Sequence, residues 1–538
     1  MKRVFLFIIT FVIAISSFAK QTPQIMHSNK VNIKLMMETI ENDWEIMPEL
    51  NPDILDLYSE TDLIRNIKFI SDIDSLEFKV KVNQPVSFAI VLNKKDTAHV
   101  VIDFTNKIPH TLSNEDKIHA LSLFWSEAKY NFAFIENIEF DIDSLYKAYI
   151  PKVLATTTDY DFYDQMKLFA AGFKDLHTEI RYNKGYLYTD YIPLSVRYFG
   201  DDLYIISTRK SMSDIYPIGS KILKINNLPV KEYMQKQVEP YVNSNYRPTV
   251  KSLSAGRLLA SDLSSKKIIL TYQTPDGRIL TNTPPRNGST NSDEPIGYMP
   301  KYWEKPIEIE WEKHNIAHLK FNTFANPERL ISLFESMKDT LYHADGIIID
   351  IRRNGGGATN SGWHLLQYMI KDAFFLNFAW QTRINNGVKK ANGNYIKANE
   401  DFYKNAAYQF FSADTIYIPD SIKRFETPMV VLISGNTCSA AEDFLINLAE
   451  RKDRPLFIGQ PTMGSTGSPL LLWDFPDNGF GRICARKVLY PYSLKPFNEG
   501  IQPDIPVGYT LEEFLTPDYD KEVEVAVEEL SKQIIKNR

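Results

Sequence analysis

Gly346-Ile347-Ile348-Ile349-Asp350-Ile351-Arg352-Arg353-Asn354-Gly355-Gly356-Gly357 and, about eighty residues later, Met429-Val430-Val431-Leu432-Ile433-Ser434-Gly435-Asn436-Thr437-Cys438-Ser439-Ala440-Ala441-Glu442-Asp443-Phe444 decide how this chain is read. Each segment opens on a short, β-branched apolar run, the pattern of a strand buried on both faces. The first run leads into three consecutive glycines, whose N–H groups can approach a ligand closely because no Cβ intervenes. The second leads into Ser439 and a stretch over 440–450 in which Ala441, Phe444, Leu445 and Leu448 fit a helical period. A serine at a helix start, where the N–H of Ala440 faces outward, combined with N–H groups of Gly355 or Gly356, supplies a nucleophile and donors for an oxyanion. The bland reading is a capping box, Ser439-x-x-Glu442, which marks a helix start and nothing more. Both segments, however, place their polar residues at the ends of buried strands, where α/β folds build sites.

At 538 residues the chain is long enough for several domains, and 61 basic against 67 acidic residues leave no basic run suited to nucleic acid. Lys2 and Arg3, an apolar stretch over 4–15 and then Ser16-Ser17-Phe18-Ala19 read as a signal peptide over residues 1–19. An exported protein with no stable transmembrane segment after signal removal is expected, in the periplasm or outside the cell. Cys438 and Cys484 are the only cysteines, so disulfides are not the scaffold, and whether the two pair is open. No P-loop, HExxH or CxxC pair occurs, and no cofactor or metal is expected.

The remaining chain divides by pattern. Residues 20–108 read as a β-rich module with a partly helical start, and 109–188 as a helical segment in which Ile118, Leu121, Phe124 and Trp125 form one stripe. That segment ends at Asp175-Leu176-His177-Thr178. Residues 189–285 form a second β-rich module built around an Asn226-Asn227 turn, followed by a polar linker over 282–294. Residues 286–510 alternate strands and helices, interrupted by an aromatic-rich insertion over 378–425, and 511–538 are a C-terminal helical tail. The serine needs a base, and histidine is neutral and able to accept a proton near pH 7. Of nine histidines none stands out by pattern, although Asp175 beside His177 could orient an imidazole.

The two segments together resemble the serine peptidases grouped around the C-terminal processing (tail-specific) proteases and the tricorn core protease, over about residues 113–510. Asp350 to Gly357 is similar to that family's D-x-R-x-N-G-G-G signature, and Thr437 to Glu442 to its nucleophile motif, with Ser439 in the nucleophile position. Gly459-Gln460-Pro461-Thr462-Met463-Gly464 resembles the G-E-P-T-x-G motif, and Gly500-Ile501-Gln502-Pro503-Asp504 the terminal G-x-x-P-D signature. The resemblance implies an α/β fold with a crotonase-like ββα spiral catalytic core, a PDZ-like domain over 189–285 and the N-terminal β-rich module. Tail-specific members carry a lysine base where this chain has Ser465, whereas the tricorn-like branch uses a histidine from the helical segment, a place that His177 matches. Glu499 matches that branch's supporting glutamate. The relay serine that precedes the histidine there is Leu176 here, so Thr178, Ser465 or Asp175 could substitute. The implied activity is an exported serine endopeptidase acting on peptide or protein substrates, with Gly355, Gly356 and Ala440 forming the oxyanion hole. Rates should then fall as His177 protonates, around its reference value of about 6.5. The alternative is a catalytically inactive protein that binds peptides or apolar ligands on the same fold.

Overall fold

The two apolar runs are adjacent strands of one six-stranded sheet. The computed structural model describes residues 112–182, 192–259, 268–285, 294–298 and 305–537, together with the backbone of six strands between residues 24 and 103. The expected signal segment at 1–19 lies outside the described residues. Across the sheet the order is β1 (Ile307–Glu312), β2 (Ile316–Phe321), β3 (Gly346–Asp350), β4 (Met429–Ile433), β5 (Leu456–Gly459) and β6 (Ile505–Pro506). Only the β1–β2 pair is antiparallel. Asp350 stands opposite Leu432, so the loops that follow β3 and β4 leave the sheet side by side.

All five residues of β3 are buried, as the unbroken apolar run requires. On one face Ile347, Ile349, Val431 and Ile433 pack with Phe334 of α1 (Pro327–Leu341), Leu365 of α2 (Thr359–Met369) and Phe444 and Leu445 of α3 (Ala440–Ala449). On the other, Ile348, Val430, Leu432 and Ile458 pack with Val523, Ala526 and Leu530 of α4 (Lys521–Asn537). The segment expected as a C-terminal tail thus forms the sheet's second covering layer. Its apolar spacing suits a sheet-packed helix as well as a free one, and only the partner decides between them.

Three helices at Asn114–Asn131, Ile142–Leu154 and Asp159–Ala171 form a separate layer, each opened by a side chain, Ser113, Asp141 or Thr158, that accepts an N–H of its first turn. Phe124, Phe132 and Phe169 surround Phe173 in edge-on contacts. The strand Glu179–Tyr182 carries the chain out of this layer and pairs antiparallel with Gly479–Cys484, which pairs in turn with Pro469–Leu472.

A seven-stranded sheet occupies residues 195–297 and closes over the helix Arg247–Leu259. Asn226 and Asn227 both have positive φ at its tight turn, a conformation asparagine tolerates better than most residues. Pro295–Gly297 pairs with Asp202–Arg209, which carries this sheet past the boundary expected at 285. In the insertion, Ala379–Arg383 pairs with both Tyr408–Phe411 and Lys487–Leu489, and Trp380 stacks on Phe411 at 3.9 Å. Residues 24–37, expected to begin partly helical, contain the strands Gln24–Ser28 and Val31–Met37.

The loop after β3 is anchored to α4 through Arg352. Its guanidinium bonds Asp350 at 2.7 Å, Asp520 at 2.8 Å and Glu522 at 2.7 Å. Removing the cation leaves three carboxylates crowded without a counter-charge, which costs about 3–5 kcal/mol when a buried pair is broken. Arg352→Met is therefore expected to lower the denaturation midpoint clearly, and an unchanged midpoint would show that α4 does not depend on this cluster.

Candidate active site

Ser439 closes the turn between β4 and α3 with φ 57° and ψ −125°, a strained conformation for a residue other than glycine. Several hydrogen bonds hold that turn. The Cys438 N–H donates to the Asn354 carbonyl at 3.1 Å, Thr437 Oγ1 donates to the Ile351 carbonyl at 2.9 Å, and Ser434 Oγ donates to the Arg352 carbonyl at 2.6 Å. The two motif loops are thereby stitched together. Gly356, at φ 102°, lies against Ser439: a Cβ there would come within 2.7 Å of Ser439 Cβ and 3.0 Å of the Ala440 nitrogen. The glycine is required by this close approach.

The Ser439-x-x-Glu442 capping box is present at the start of α3. The Glu442 carboxylate accepts the Ser439 N–H at 3.2 Å, and the Ser439 hydroxyl lies 3.2 Å from His177 Nε2. On the far side of the ring, His177 Nδ1 is 2.6 Å from Ser465 Oγ. If Nε2 is to accept the Ser439 proton, Nδ1 carries the hydrogen and donates it to Ser465.

His177 reaches this place through its local turn. Asp175 Oδ1 accepts the His177 backbone N–H at 3.0 Å and the Thr178 hydroxyl at 2.8 Å. Thr178 Oγ1 also accepts the Cys484 N–H at 3.0 Å. Asp175 and Thr178 therefore set the backbone that carries the imidazole and leave the ring to Ser465. Arg482 adds a bond from its guanidinium to the Leu176 carbonyl at 2.9 Å.

Glu442 is the residue that reading the sequence passed over as a cap. It is fully buried, and beyond Ser439 it accepts the Thr462 hydroxyl at 2.5 Å, the Gly464 N–H at 2.7 Å and the Ser465 N–H at 2.9 Å. The capping-box spacing was the available signal for it, although nothing local shows that the carboxylate would also serve a loop twenty residues on. Glu499, expected to support His177, is exposed, and among the described residues no hydrogen bond joins it to the imidazole. A glutamate just before the terminal signature lies on the outer side of the 462–464 turn, where Gly464 packs against its backbone.

The expected oxyanion donors also separate. The Gly356 N–H donates to Asn354 Oδ1 at 2.9 Å, whereas those of Gly355 and Ala440 make no hydrogen bond among the described residues. Ala440 is the first residue of α3, where the helix dipole favours negative charge.

Burial dominates the electrostatics. It pulls His177 from 6.5 down to about 3, helped by the positive charges of Arg482, Arg486 and Arg181. The expectation that His177 protonates around 6.5 is therefore corrected: in the fold the imidazole stays neutral well into the acid range. Burial pushes Glu442 up to about 8, although four hydrogen bonds favour its anion, and pushes Asp175 up to about 6. Cys438 and Cys484 are both free thiols. Among the described residues, Glu310, Glu312 and His318 bring potential metal-ligating atoms within 4.8 Å of one another. His318 already bonds Glu312 and Asp350, and Lys320 pairs with Glu310.

Residues 315–507 match the model of peptidase family S41. No curated protein matches the chain. Among solved structures, mature CPAF complexed with lactacystin is similar at a TM-score of 0.59 and 13% identity, over 79% of this chain and 99% of that one. A crystal structure of mature CPAF gives 0.58 and 15%, over 79% and 98%. The photosystem II D1 C-terminal processing protease gives 0.39 and 14%, over 76% and 97%. The CPAF likeness is one of fold. By the match over residues 315–507, this chain of mixed α/β fold is similar in that part to peptidase family S41, and it is a serine-type peptidase, a hydrolase.

Proposed function

We propose that this protein is an exported serine endopeptidase in which Ser439 is the nucleophile and His177 the general base. The observation that carries the reading is the 3.2 Å approach of His177 Nε2 to the hydroxyl of a strained serine at a helix N-terminus. Ser439 Oγ attacks the peptide carbonyl as its proton passes to Nε2, and the imidazolium then protonates the leaving amine. Water takes the amine's place and attacks the acyl carbon as its proton passes to Nε2, and the imidazolium returns that proton to Ser439 Oγ as the bond to the acyl carbon breaks and the acid leaves. The N–H groups of Gly355 and Ala440 are the donors left to hold the tetrahedral oxyanion. Ser465 takes the supporting role first assigned to Glu499. The core over 286–510 is read as a crotonase-like ββα spiral and the 189–285 region as PDZ-like, with Thr249 of that region donating to the Met463 carbonyl at 2.7 Å beside the site. Lys2, Arg3 and the apolar stretch after them support export.

A fluorophosphonate probe tests the nucleophile without a guess at the substrate. Wild-type protein is expected to form an adduct on Ser439, Ser439→Ala to form none, and His177→Ala to label about 10²–10⁴-fold more slowly. A folded wild-type protein that never labels would sink the proposal. Gly356→Ala, which pushes a methyl group into the nucleophile turn, should slow labelling by about 10²-fold; a wild-type rate would show that the two loops do not touch as described.

The pH dependence follows from the buried imidazole. Labelling of Ser439 should hold steady as pH falls from 8 through 6.5 and decline only as His177 protonates, towards about 3. The same shift bears on stability: below about 6.5 the unfolded chain binds a proton that the folded one refuses, so the contribution of His177 to stability is lost progressively as pH falls. An acid limb centred near 6.5 in short labelling pulses would mean that the imidazole is hydrated.

A further inference from the structure

The buried or half-buried arginines of the core have acceptors, with one exception. Arg352, Arg451, Arg454 and Arg482 each reach a carboxylate, and Arg383 and Arg424 reach backbone carbonyls. Arg486 makes no side-chain hydrogen bond or ion pair among the described residues, and its Nε is fully enclosed without an acceptor. Enclosing one nitrogen of a guanidinium without an acceptor is costly, and the half-buried Arg486 keeps its terminal nitrogens outside that enclosure, so the group stands ready for an anion.

Its position is next to the chemistry. Arg486 lies two residues beyond Cys484, whose N–H bonds Thr178 beside His177. A Cβ on Gly467, two residues beyond Ser465, would sit 3.1 Å from the Arg486 carbonyl. The guanidinium carbon lies 4.6 Å from the centre of the buried Phe378 ring. Its charge is felt by both His177 and Asp443. Asp443 does not pair with it, because its carboxylate accepts the Thr466 and Thr359 hydroxyls at 2.6 and 2.8 Å. Arg181 and Arg482 share the carboxylate of Glu179, whereas Arg486 has no such partner among the described residues.

We propose that Arg486 determines specificity at this site by pairing with a carboxylate of the peptide substrate near the scissile bond. The inference rests on the peptidase reading above. An acidic side chain and a free C-terminus offer the same anion, and a planar guanidinium can bind either in a two-pronged fashion. Nothing covalent happens at Arg486; it binds and orients.

The test is digestion of a proteome-derived peptide library by the wild-type protein, with cleavage sites mapped by mass spectrometry and the library prepared with free or amidated C-termini. Wild type is expected to favour sites that place a carboxylate at one fixed distance from the cut, by about tenfold to a hundredfold over the matched amide. Loss of the preference on amidation assigns the anion to the C-terminus, and its survival assigns it to Asp or Glu. Arg486→Gln should abolish the preference, and Arg486→Lys should keep a reduced one. Cleavage blind to carboxylates in the wild type, or a preference that survives in Arg486→Gln, would overturn the assignment. Fluorophosphonate labelling of the same wild-type sample separates the two failures. Labelled Ser439 with carboxylate-blind cleavage removes Arg486 alone, whereas no labelling and no cleavage removes the peptidase reading and this one with it.

Discussion

One buried carboxylate organises the site. Glu442 accepts four donors, the N–H groups of Ser439, Gly464 and Ser465 and the hydroxyl of Thr462. The first belongs to the turn that presents the serine, and the others to the loop whose Ser465 meets the imidazole. Each carboxylate oxygen takes two of these donors, and because the group is fully enclosed a donor that moved away would leave its oxygen one bond short in a medium that cannot replace it. The turn and the loop are thus held to one another by a shared need for solvation.

The strain at Ser439 needs support of this kind. A non-glycine residue at positive φ costs about 1–3 kcal/mol, and it persists here because its neighbours are fixed on both sides. Ser434, Thr437 and Cys438 are tied to the loop after β3, and that loop is tied through Arg352 to α4 on the opposite face of the sheet. The geometry around the hydroxyl is therefore transmitted from a layer that never approaches it. The same enclosure, together with the charges of Arg482, Arg486 and Arg181, holds the His177 imidazole neutral.

The strands at the two motif segments, the helix after Ser439 and the tight turn at Asn226-Asn227 were legible because each is written in consecutive residues: apolar runs, a 3.6-residue period, a pair of asparagines. What escaped was everything decided by partners distant in sequence. The role of Glu442 depends on a loop twenty residues away, and the partner of His177 on a strand pairing across the molecule. Motif position pointed to Glu499, but position along the chain does not tell which way a carboxylate faces, and this one faces solvent. The amphipathic stretch at 521–537 announced a helix and could not announce the sheet it covers. Arg486 has no local signature at all, since an arginine is unusual only for lacking what the fold gives the others.

The pairing of Glu179–Tyr182 with Gly479–Cys484 has a consequence in time. Thr178 and Cys484 are 306 residues apart, so the backbone that carries the imidazole is fixed only after nearly the whole chain has left the ribosome. At about 5–20 residues per second this is a delay of about 15–60 s. During that interval the helical layer can fold while the serine and the histidine remain unacquainted. Until those strands pair, nothing holds the His177 ring 3.2 Å from the Ser439 hydroxyl.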